Sequence, residues 1–182
     1  MKKVLIVSDS HKHNEILNKI FNAHSDIDTC IHCGDLQDNV NALEIKTLHI
    51  VRGNNDFDYF PQELFIELEN YKLYITHGHM QDIEVSDLKI SQVASEKQAN
   101  IVLYGHTHNP KFYQKDNMHF INPGSVAFPR GGKVFAPTYA ILTLNDTIEC
   151  HFYNAKTNEC IDDLLFNPQP KKKKGFFSFF KK

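Results

Sequence analysis

The sequence predicts an α/β (α+β) fold, a sandwich of two β-sheets with helices on its outer faces. Two patterns lead to this prediction. Short apolar runs alternate with a helical pattern at the start of the chain, as in parallel β-α units. From residue 63 onward, pairs of alternating runs joined by short polar turns indicate hairpins instead. A chain of 182 residues can bury a large core, and residues 1–160 are assigned to one domain.

The parallel half begins with residues 4–7, a continuous apolar run typical of a strand that is covered on both faces. Apolar residues at helical spacing predict a helix over 14–23, and a second buried strand follows at 29–32. A short helical stretch is expected near 40–44 and a third strand over 47–51. Each of these strands ends in polar residues. Because binding groups collect beyond the carboxyl ends of the strands in such sheets, these ends are expected to form one site.

The remainder of the domain is predicted to consist mostly of strands. They cover residues 64–68, 72–75, 101–104, 111–114, 118–122, 139–144 and 147–153. A helix is expected among them from Ser86 to Gln98, with Leu88, Val93 and Ala94 on its buried face. The second sheet is therefore expected to contain more hairpins than the first.

Composition limits the function. A formal net charge of −2 and a hydrophobic content of 41% fit an ordinary globular protein and argue against a surface that coats nucleic acid. A nuclease acting on long polynucleotides is also disfavoured, because residues 1–160 show no basic stretch interleaved with aromatic residues. No apolar stretch reaches about 18 residues and no signal-peptide pattern follows Met1, so a cytoplasmic location is expected.

The cysteines suggest one alternative chemistry. Cys30 and Cys33 have the spacing of a redox motif or of half a zinc site. A zinc ribbon would need a second close pair, which Cys150 and Cys160 do not form, and a redox pair usually opens a helix. Buried, reduced thiols are therefore the preferred interpretation.

Side chains that can bind metals follow five of the predicted strands. They are Asp9, His11, Asp35, Asn54, His77, His106 and His108. One ion cannot use so many ligands, whereas two ions about 3.5 to 4 Å apart that share a carboxylate can, and such a pair stabilises a phosphoryl displacement. These ligand types suit manganese, iron, zinc, cobalt or nickel better than calcium. The excess positive charge of two such ions would attract a phosphate group.

These strand ends resemble, in order and spacing, the motifs of the calcineurin-like metallophosphoesterases. The matching segments are Asp9-Ser10-His11, Gly34-Asp35, Gly53-Asn54-Asn55-Asp56, Thr76-His77-Gly78-His79 and Gly105-His106-Thr107-His108. Asn122-Pro123-Gly124-Ser125 and residues 130–142 are similar to the small single-domain prokaryotic phosphodiesterase branch. The resemblance implies a four-layer αββα sandwich with two mixed sheets. It also implies hydrolysis of a small or nucleotide-like phosphodiester, in which a metal-bridging hydroxide attacks phosphorus directly.

The same resemblance assigns the residues. Asp9, His11, Asp35 and His108 are implied to hold the first ion, and Asp35, Asn54, His77 and His106 the second, with Asp35 bridging. Manganese is the expected metal, with zinc, nickel, iron or cobalt as alternatives. Asp35, His77 and His106 are assigned catalytic roles, while Asp56 and His79 are expected to orient the ligands.

The sequence departs from the family pattern at two places. Many members carry a histidine where this chain has Asn55, and that histidine helps to protonate the leaving oxygen. Asparagine cannot act as a general acid, so efficiency on poor leaving groups is expected to suffer. Lys12 stands where glycine is usual. A substrate contact and an ordinary structural role are both open for four further residues, His13, His32, Asp38 and Arg130.

One alternative function and one separate segment remain. A non-catalytic scaffold, like the retromer subunit that shares this fold, would be favoured by loss of ligands, yet all seven ligand positions are filled. Residues 161–182 are assigned to a linker and a tail rich in lysine and phenylalanine. Contact with an anionic membrane, docking on a protein partner and a disordered tail are all open for that segment.

Overall fold

The structure, a computed structural model, describes residues 1–130 and 134–166. Within these residues the strands are β1 (Lys2–Val7), β2 (Thr29–His32), β3 (Thr47–Ile50), β4 (Glu63–Leu68), β5 (Tyr71–Thr76), β6 (Ile101–Leu103), β7 (Lys111–Lys115), β8 (Met118–Asn122), β9 (Thr138–Leu144) and β10 (Ile148–Asn154). The α-helices are α1 (Asn14–Ala23), α2 (Leu88–Glu96) and α3 (Asp162–Phe166). Short 3₁₀ turns occur at Val40–Ala42 and His79–Gln81.

The strands form two five-stranded mixed sheets. The first has the order β10-β9-β1-β2-β3, in which β1, β2 and β3 are parallel and the β9-β10 hairpin runs antiparallel beside β1. The second has the order β4-β5-β6-β8-β7, in which β6 lies parallel to both β5 and β8 and a hairpin closes each edge. The parallel strands of both sheets place their following loops at one end of the molecule.

Alternation along the strands produces the layers. In β1, Val4 and Ile6 belong to the core between the two sheets, whereas Leu5 and Val7 pack in the outer cluster that also contains Leu17 of α1. This is the consequence of side chains pointing to opposite faces of a strand in turn. The expected four-layer αββα sandwich is confirmed by this arrangement together with α2 on the far side.

Helix α2 covers the outer face of the second sheet through Ile90 and Ala94, which pack in a cluster with Tyr74 and Phe120. The prediction that Leu88 faces inward was wrong, because its side chain is 68% exposed. The helix begins at Leu88, and residues four apart share a face, so the buried face is set by the pair Ile90 and Ala94.

Helix α3 was missed by the sequence prediction. Ile161 and Leu165 are buried in the core between the sheets, next to Phe152 of β10. The helix therefore packs with the domain, although the predicted boundary between domain and tail is drawn at residue 160. Residues 167–182, on which the membrane, docking and disorder alternatives depend, lie outside the described residues. None of the helices in the described part of the chain is long and apolar enough to cross a membrane.

The four cysteines are free thiols. Cys30 packs in the outer cluster beneath α1, whereas Cys33 lies in the core between the sheets. Burial raises the pKa of both thiols far above the ordinary value. Because the two side chains lie on opposite faces of the sheet, the Cys30 and Cys33 spacing is structural, and the preferred interpretation of buried, reduced thiols is confirmed for this pair.

Candidate metal centre

The loops that follow β1, β2, β3, β5 and β6 converge at one end of the sandwich and carry the predicted ligands. Backbone hydrogen bonds tie these loops together. Asp9 N–H donates to Gly34 O at 3.0 Å, His11 N–H to Asp35 O at 3.0 Å, and Gly105 N–H to His77 O at 3.1 Å. The first two bonds join neighbouring loops of the first sheet, and the third joins two loops of the second. The ligand positions are thus held by backbone as well as by side-chain contacts.

Asp9, His11 and His108 form one group of side chains with the spacing of a metal site, their ligand atoms lying within 4.8 Å of one another. His108 Nε2 lies 3.0 Å from Asp9 Oδ1 and 3.5 Å from His11 Nε2. His108 and Asp9 are buried, and His11 is partly exposed. The group therefore opens to solvent on the side of His11.

Asp9, Asp35 and His77 form a second group with the same spacing. His77 Nε2 lies 3.5 Å from Asp35 Oδ2 and 3.9 Å from Asp9 Oδ1. Asn54 reaches this group with its side-chain oxygen, which lies 3.1 Å from His77 Nε2. Asp9 is shared by both groups, and Asp35 also faces both, because its Oδ2 lies 4.0 Å from His11 Nε2.

The imidazoles are oriented so that their Nε2 atoms point to the carboxylates. His77 Nδ1 faces Cys33 O at 2.7 Å and His108 Nδ1 faces Phe128 O at 2.5 Å. A carbonyl oxygen can only accept, so Nδ1 of each ring carries the proton and donates. In the neutral rings Nε2 is therefore unprotonated, and its lone pair faces the carboxylate of Asp9 or Asp35. Acceptor facing acceptor is unfavourable in a buried site unless a cation lies between them.

The carboxylate of Asp9 also has an unsatisfied oxygen that a cation would satisfy. Its Oδ2 accepts hydrogen bonds from Ser8 Oγ at 2.6 Å and from the His106 backbone N–H at 3.1 Å. Its Oδ1 is buried and accepts no hydrogen bond, although His108 Nε2 is only 3.0 Å away. A buried carboxylate oxygen without a donor fits a metal ion in the space between these groups.

The pKa directions agree with a site that favours positive charge. Burial alone would raise the pKa of Asp9, but its contacts with His108 and His77 outweigh burial and lower it. The pKa of Asp35 is lowered in the same way, burial being outweighed by His77 and Asn55. Burial would lower the pKa of His77, yet Asp35 and Asp9 raise it. Both carboxylates are ionised near neutral pH, and either a proton or a metal ion can neutralise them.

The structure does not bring His106 into either group. Its Nε2 lies 3.5 Å from Oε1 of Glu84, and its ring packs against His77 at a centroid distance of 5.1 Å. His106 and His108 therefore point to different neighbours, Glu84 and Asp9. Glu84 was missed by the sequence prediction, because a single carboxylate in a polar segment gives no signal of the histidine it will meet.

The two residues expected to orient ligands lie next to them. Asp56 accepts from the backbone N–H groups of Asp35, Gly53 and Gln37, each at 2.8 Å, and so fixes the loops after β2 and β3. The ring of His79 lies 5.3 Å from that of His77, and burial together with the charge of His77 lowers its pKa. His79 thus contacts an imidazole, whereas Asp56 contacts backbone.

Most of the predicted ligands adopt a strained backbone. Positive φ angles, which side chains other than glycine rarely adopt, occur at Asp9 (52°), His11 (44°), Asp35 (60°), His106 (65°) and His108 (54°). Such strain is typical of sites where function dictates the conformation. Close packing adds to it: a Cβ on Gly53 would lie 2.1 Å from Asp35 Oδ1.

Two residues left open by the sequence have defined contacts. His32 is buried, its Nδ1 accepts from Gly34 N–H at 3.2 Å, and its Nε2 donates to Ser10 Oγ at 2.9 Å. Its role is therefore structural. His13 lies 2.9 Å from the Glu15 carboxylate near the surface.

An open cleft of about 510 Å³ adjoins the ligand groups. It is lined by Gln37, Asp38, Asn39, Phe57 and Asp58. Gln37 connects the cleft to the centre, because its Oε1 lies 2.5 Å from His11 Nδ1. The cleft therefore lies beside the candidate ligand His11.

Comparison with known proteins identifies the family and supports the fold. A family model described as the calcineurin-like phosphoesterase superfamily domain matches residues 1–147. The probable metallophosphoesterase YsnB of Bacillus subtilis (strain 168) is 37% identical over 164 residues, covering 88% of this chain and 95% of the relative. Phosphodiesterase MJ0936 of Methanocaldococcus jannaschii is 30% identical over 165 residues, covering 77% and 92%. A solved structure from Streptococcus pneumoniae TIGR4, described as a conserved uncharacterized protein and predicted phosphoesterase, has a TM-score of 0.81 at 30% identity, covering 88% and 92%.

Two mixed sheets that gather carboxylates and imidazoles beyond their strand ends form the arrangement expected of a metal-dependent phosphoesterase. The chain belongs to the calcineurin-like phosphoesterase superfamily, as its motifs predicted. Its general activity is therefore the hydrolysis of phosphate ester bonds with the help of metal ions.

Proposed function

We propose that the protein is a phosphodiesterase that acts on a small or nucleotide-like phosphate ester at a centre of two divalent metal ions. The observation that carries the proposal is the meeting of the Nε2 atoms of His11, His77 and His108 with the carboxylates of Asp9 and Asp35. The name of the relative MJ0936 as a phosphodiesterase supports the type of ester.

The proposed ligands extend the two groups with Asn54 and with His106, which lies in neither group and is assigned from the motif resemblance. Asp9, His11, Asp35 and His108 would hold one ion, and Asp35, Asn54, His77 and His106 the other. Manganese is favoured, with zinc, nickel, iron or cobalt as alternatives. Such ions, when bound, neutralise the phosphate charge and lower the pKa of water. Asp9 is a second candidate for the shared carboxylate, because its Oδ1 faces both His108 and His77.

The cleft beside Gln37 would receive the substituent of the phosphate. Phe57 is 92% exposed at its edge and offers a flat apolar surface. Asp38 and Asp58 place negative charge in the same cleft, which disfavours further phosphate groups. A diester with one phosphate and a neutral, flat substituent therefore fits better than a polyphosphate.

Asn55 limits the leaving groups. Its side chain donates to Asp35 and has no proton to give to a leaving oxygen. Esters whose leaving groups are stable anions, such as aryl oxides, should therefore react fastest.

The test is a panel of phosphodiesters and monoesters incubated with metal-free protein and with manganese, nickel, zinc or magnesium. We expect metal-dependent hydrolysis of diesters that falls at least about 100-fold in Asp35→Ala and is unchanged in Asp146→Ala, an exposed control far from the ligands in sequence. Hydrolysis of monoesters alone would overturn the substrate class. Full activity in Asp35→Ala would overturn the two-metal centre, and inactivity with every metal would favour the scaffold.

A further inference from the structure

A third group of metal-binding side chains, separate from the candidate metal centre, lies at β10, the edge strand of the first sheet. It consists of His151 on β10, Cys160 in the following loop and Asp162 at the start of α3, with ligand atoms within 4.8 Å of one another. His151 Nδ1 and Asp162 Oδ2 are 2.7 Å apart. An imidazole, a thiol and a carboxylate are the three side-chain types that bind zinc in proteins.

Backbone contacts hold the three residues in place. Cys160 forms an isolated antiparallel bridge with Tyr153. Phe152 N–H donates to Asp162 Oδ1 at 2.8 Å, which leaves Oδ2 directed to His151. These contacts fix the loop against β10 before any ion binds, so little ordering would oppose binding.

The surroundings favour a cation and let one enter. The Cys160 sulfur lies within 4.8 Å of ligand atoms of His151 and Asp162, and the group itself contains no lysine or arginine. The side chains of His151 and Asp162 are 47% and 25% exposed, and Cys160 is exposed. An ion can therefore reach all three from solvent, and exposed side chains can rotate to close the remaining distance.

We propose that His151, Cys160 and Asp162 bind one zinc ion. Binding releases the thiol proton of Cys160, and the ion replaces the hydrogen bond between His151 and Asp162. The thiolate and carboxylate charges neutralise the dication, and a water molecule completes the four-coordinate shell. The ion joins the start of α3 to β10 and stabilises this edge of the domain. The soft sulfur ligand selects zinc over manganese or magnesium, so this site and the phosphoesterase centre differ in preference.

Cobalt provides a specific test, because a cobalt-thiolate bond gives a near-ultraviolet charge-transfer band that nitrogen and oxygen ligands do not give. The ligands proposed for the phosphoesterase centre include no cysteine. We expect the full-length, metal-stripped protein to show this band on addition of cobalt, and zinc to abolish it. Cys160→Ser should lose the band, and Asp162→Asn should weaken cobalt binding about tenfold or more.

Asp163→Asn is the matched control, because this neighbouring carboxylate is exposed and belongs to no ligand group. It should keep both the band and the affinity. Zinc should also slow hydrogen exchange at residues 161–165 in the wild type and leave it unchanged in Cys160→Ser. Absence of the band in the wild type, or its persistence in Cys160→Ser, would overturn the proposal. Neither result depends on whether the phosphoesterase centre is active.

Discussion

Asn55 donates twice to the carboxylate of Asp35, from its backbone N–H to Oδ1 at 2.8 Å and from its side-chain amide to Oδ2 at 2.6 Å. These bonds help to lower the pKa of Asp35 against the effect of burial. A residue that stands where related motifs carry a proton-donating histidine thus stabilises the charge of a candidate ligand instead.

Asn55→His should therefore change leaving-group preference. The substitution supplies a proton donor but removes the amide bond to Asp35. We expect the ratio of kcat/KM for an alkyl diester to kcat/KM for a nitrophenyl diester to rise at least about tenfold, since general acid catalysis contributes about 100-fold or more. The two values are measured with the same metal.

Asn55→Ala is the control for the loss of the amide alone. It should lower metal affinity about tenfold, as expected for one charge-assisted hydrogen bond, without changing the leaving-group ratio. An unchanged ratio in Asn55→His would show that the position does not face the leaving oxygen.

Glu84 contacts His106, but this exposed contact is expected to contribute little to the position of the imidazole. The carboxylate is 57% exposed and lies 3.5 Å from His106 Nε2, and such pairs contribute less than about 1 kcal/mol. Glu84→Gln should therefore change diesterase activity by less than about fivefold, while His106→Ala should abolish metal-dependent hydrolysis. Comparable losses in both variants would show that the carboxylate itself takes part in the reaction.

The strand ends were the most predictable part of the molecule. Helix α1 and strands β2 and β8 begin and end at the residues that apolar runs and helical spacing indicated. Strand β2 is fully buried, β8 is buried except at His119, and α1 buries one face, so the apolar pattern of the local sequence determines the length of each element. The convergence of the loops then follows from the common edge of parallel strands.

Long-range partners could not be predicted in the same way. Helix α3 is too short to show a period, and its burial depends on the face of β10 that it meets. His106 lies beside Glu84, a residue of another loop, and the shared position of Asp9 depends on loops from both sheets. Such residues can be identified from the sequence, but the directions of their side chains cannot, because they depend on contacts with distant parts of the chain.

Phe57 tests the proposed place of the substituent. Phe57→Ala should raise KM for a flat aryl or nucleoside diester about tenfold and leave KM for a small alkyl diester unchanged, because stacking contributes about 1–3 kcal/mol. Tyr59→Ala is the matched control, since Tyr59 is equally exposed but does not line the cleft. Equal effects of the two variants on KM would place the substituent elsewhere.

His32 predicts a pH-dependent stability. Burial lowers its pKa from 6.5 to about 4. Between these pH values His32 is protonated in the unfolded chain but stays neutral in the folded protein. The contribution of His32 to stability is present above pH 6.5 and is lost as the pH falls towards 4, by up to about 3 kcal/mol. The free energy of unfolding, measured by urea titration between pH 7 and pH 4, should show this loss.

His32→Asn is the comparison, because its side-chain oxygen can still accept from Gly34 N–H but cannot titrate. Its stability should be lower at pH 7 and should fall less steeply with decreasing pH than that of the wild type. Parallel curves for the two proteins would show that other groups cause the pH dependence.

Gly105 determines how closely β6 approaches the loop after β1. A Cβ at this position would lie 2.0 Å from Ser8 Oγ and 2.9 Å from Asp9 Oδ2. Gly105→Ala must therefore displace the side chains of Ser8 and Asp9. Asp9 Oδ2 accepts hydrogen bonds from Ser8 Oγ and from the His106 backbone N–H, so these bonds are disturbed as well. We expect it to lower the free energy of unfolding by about 1–3 kcal/mol and to weaken metal binding, measured by urea titration and calorimetry.

Ser8→Ala distinguishes the clash of the added methyl group with the Ser8 hydroxyl from its clash with Asp9. In the double variant Ser8→Ala with Gly105→Ala, the clash with the hydroxyl is removed, but the contacts with Asp9 and with Cys33 O at 2.9 Å remain. Stability should recover in part, whereas metal binding should stay weak because Asp9 is still displaced and has lost the Ser8 hydrogen bond. Full recovery of metal binding would show that the position of Asp9 does not depend on the close approach at Gly105.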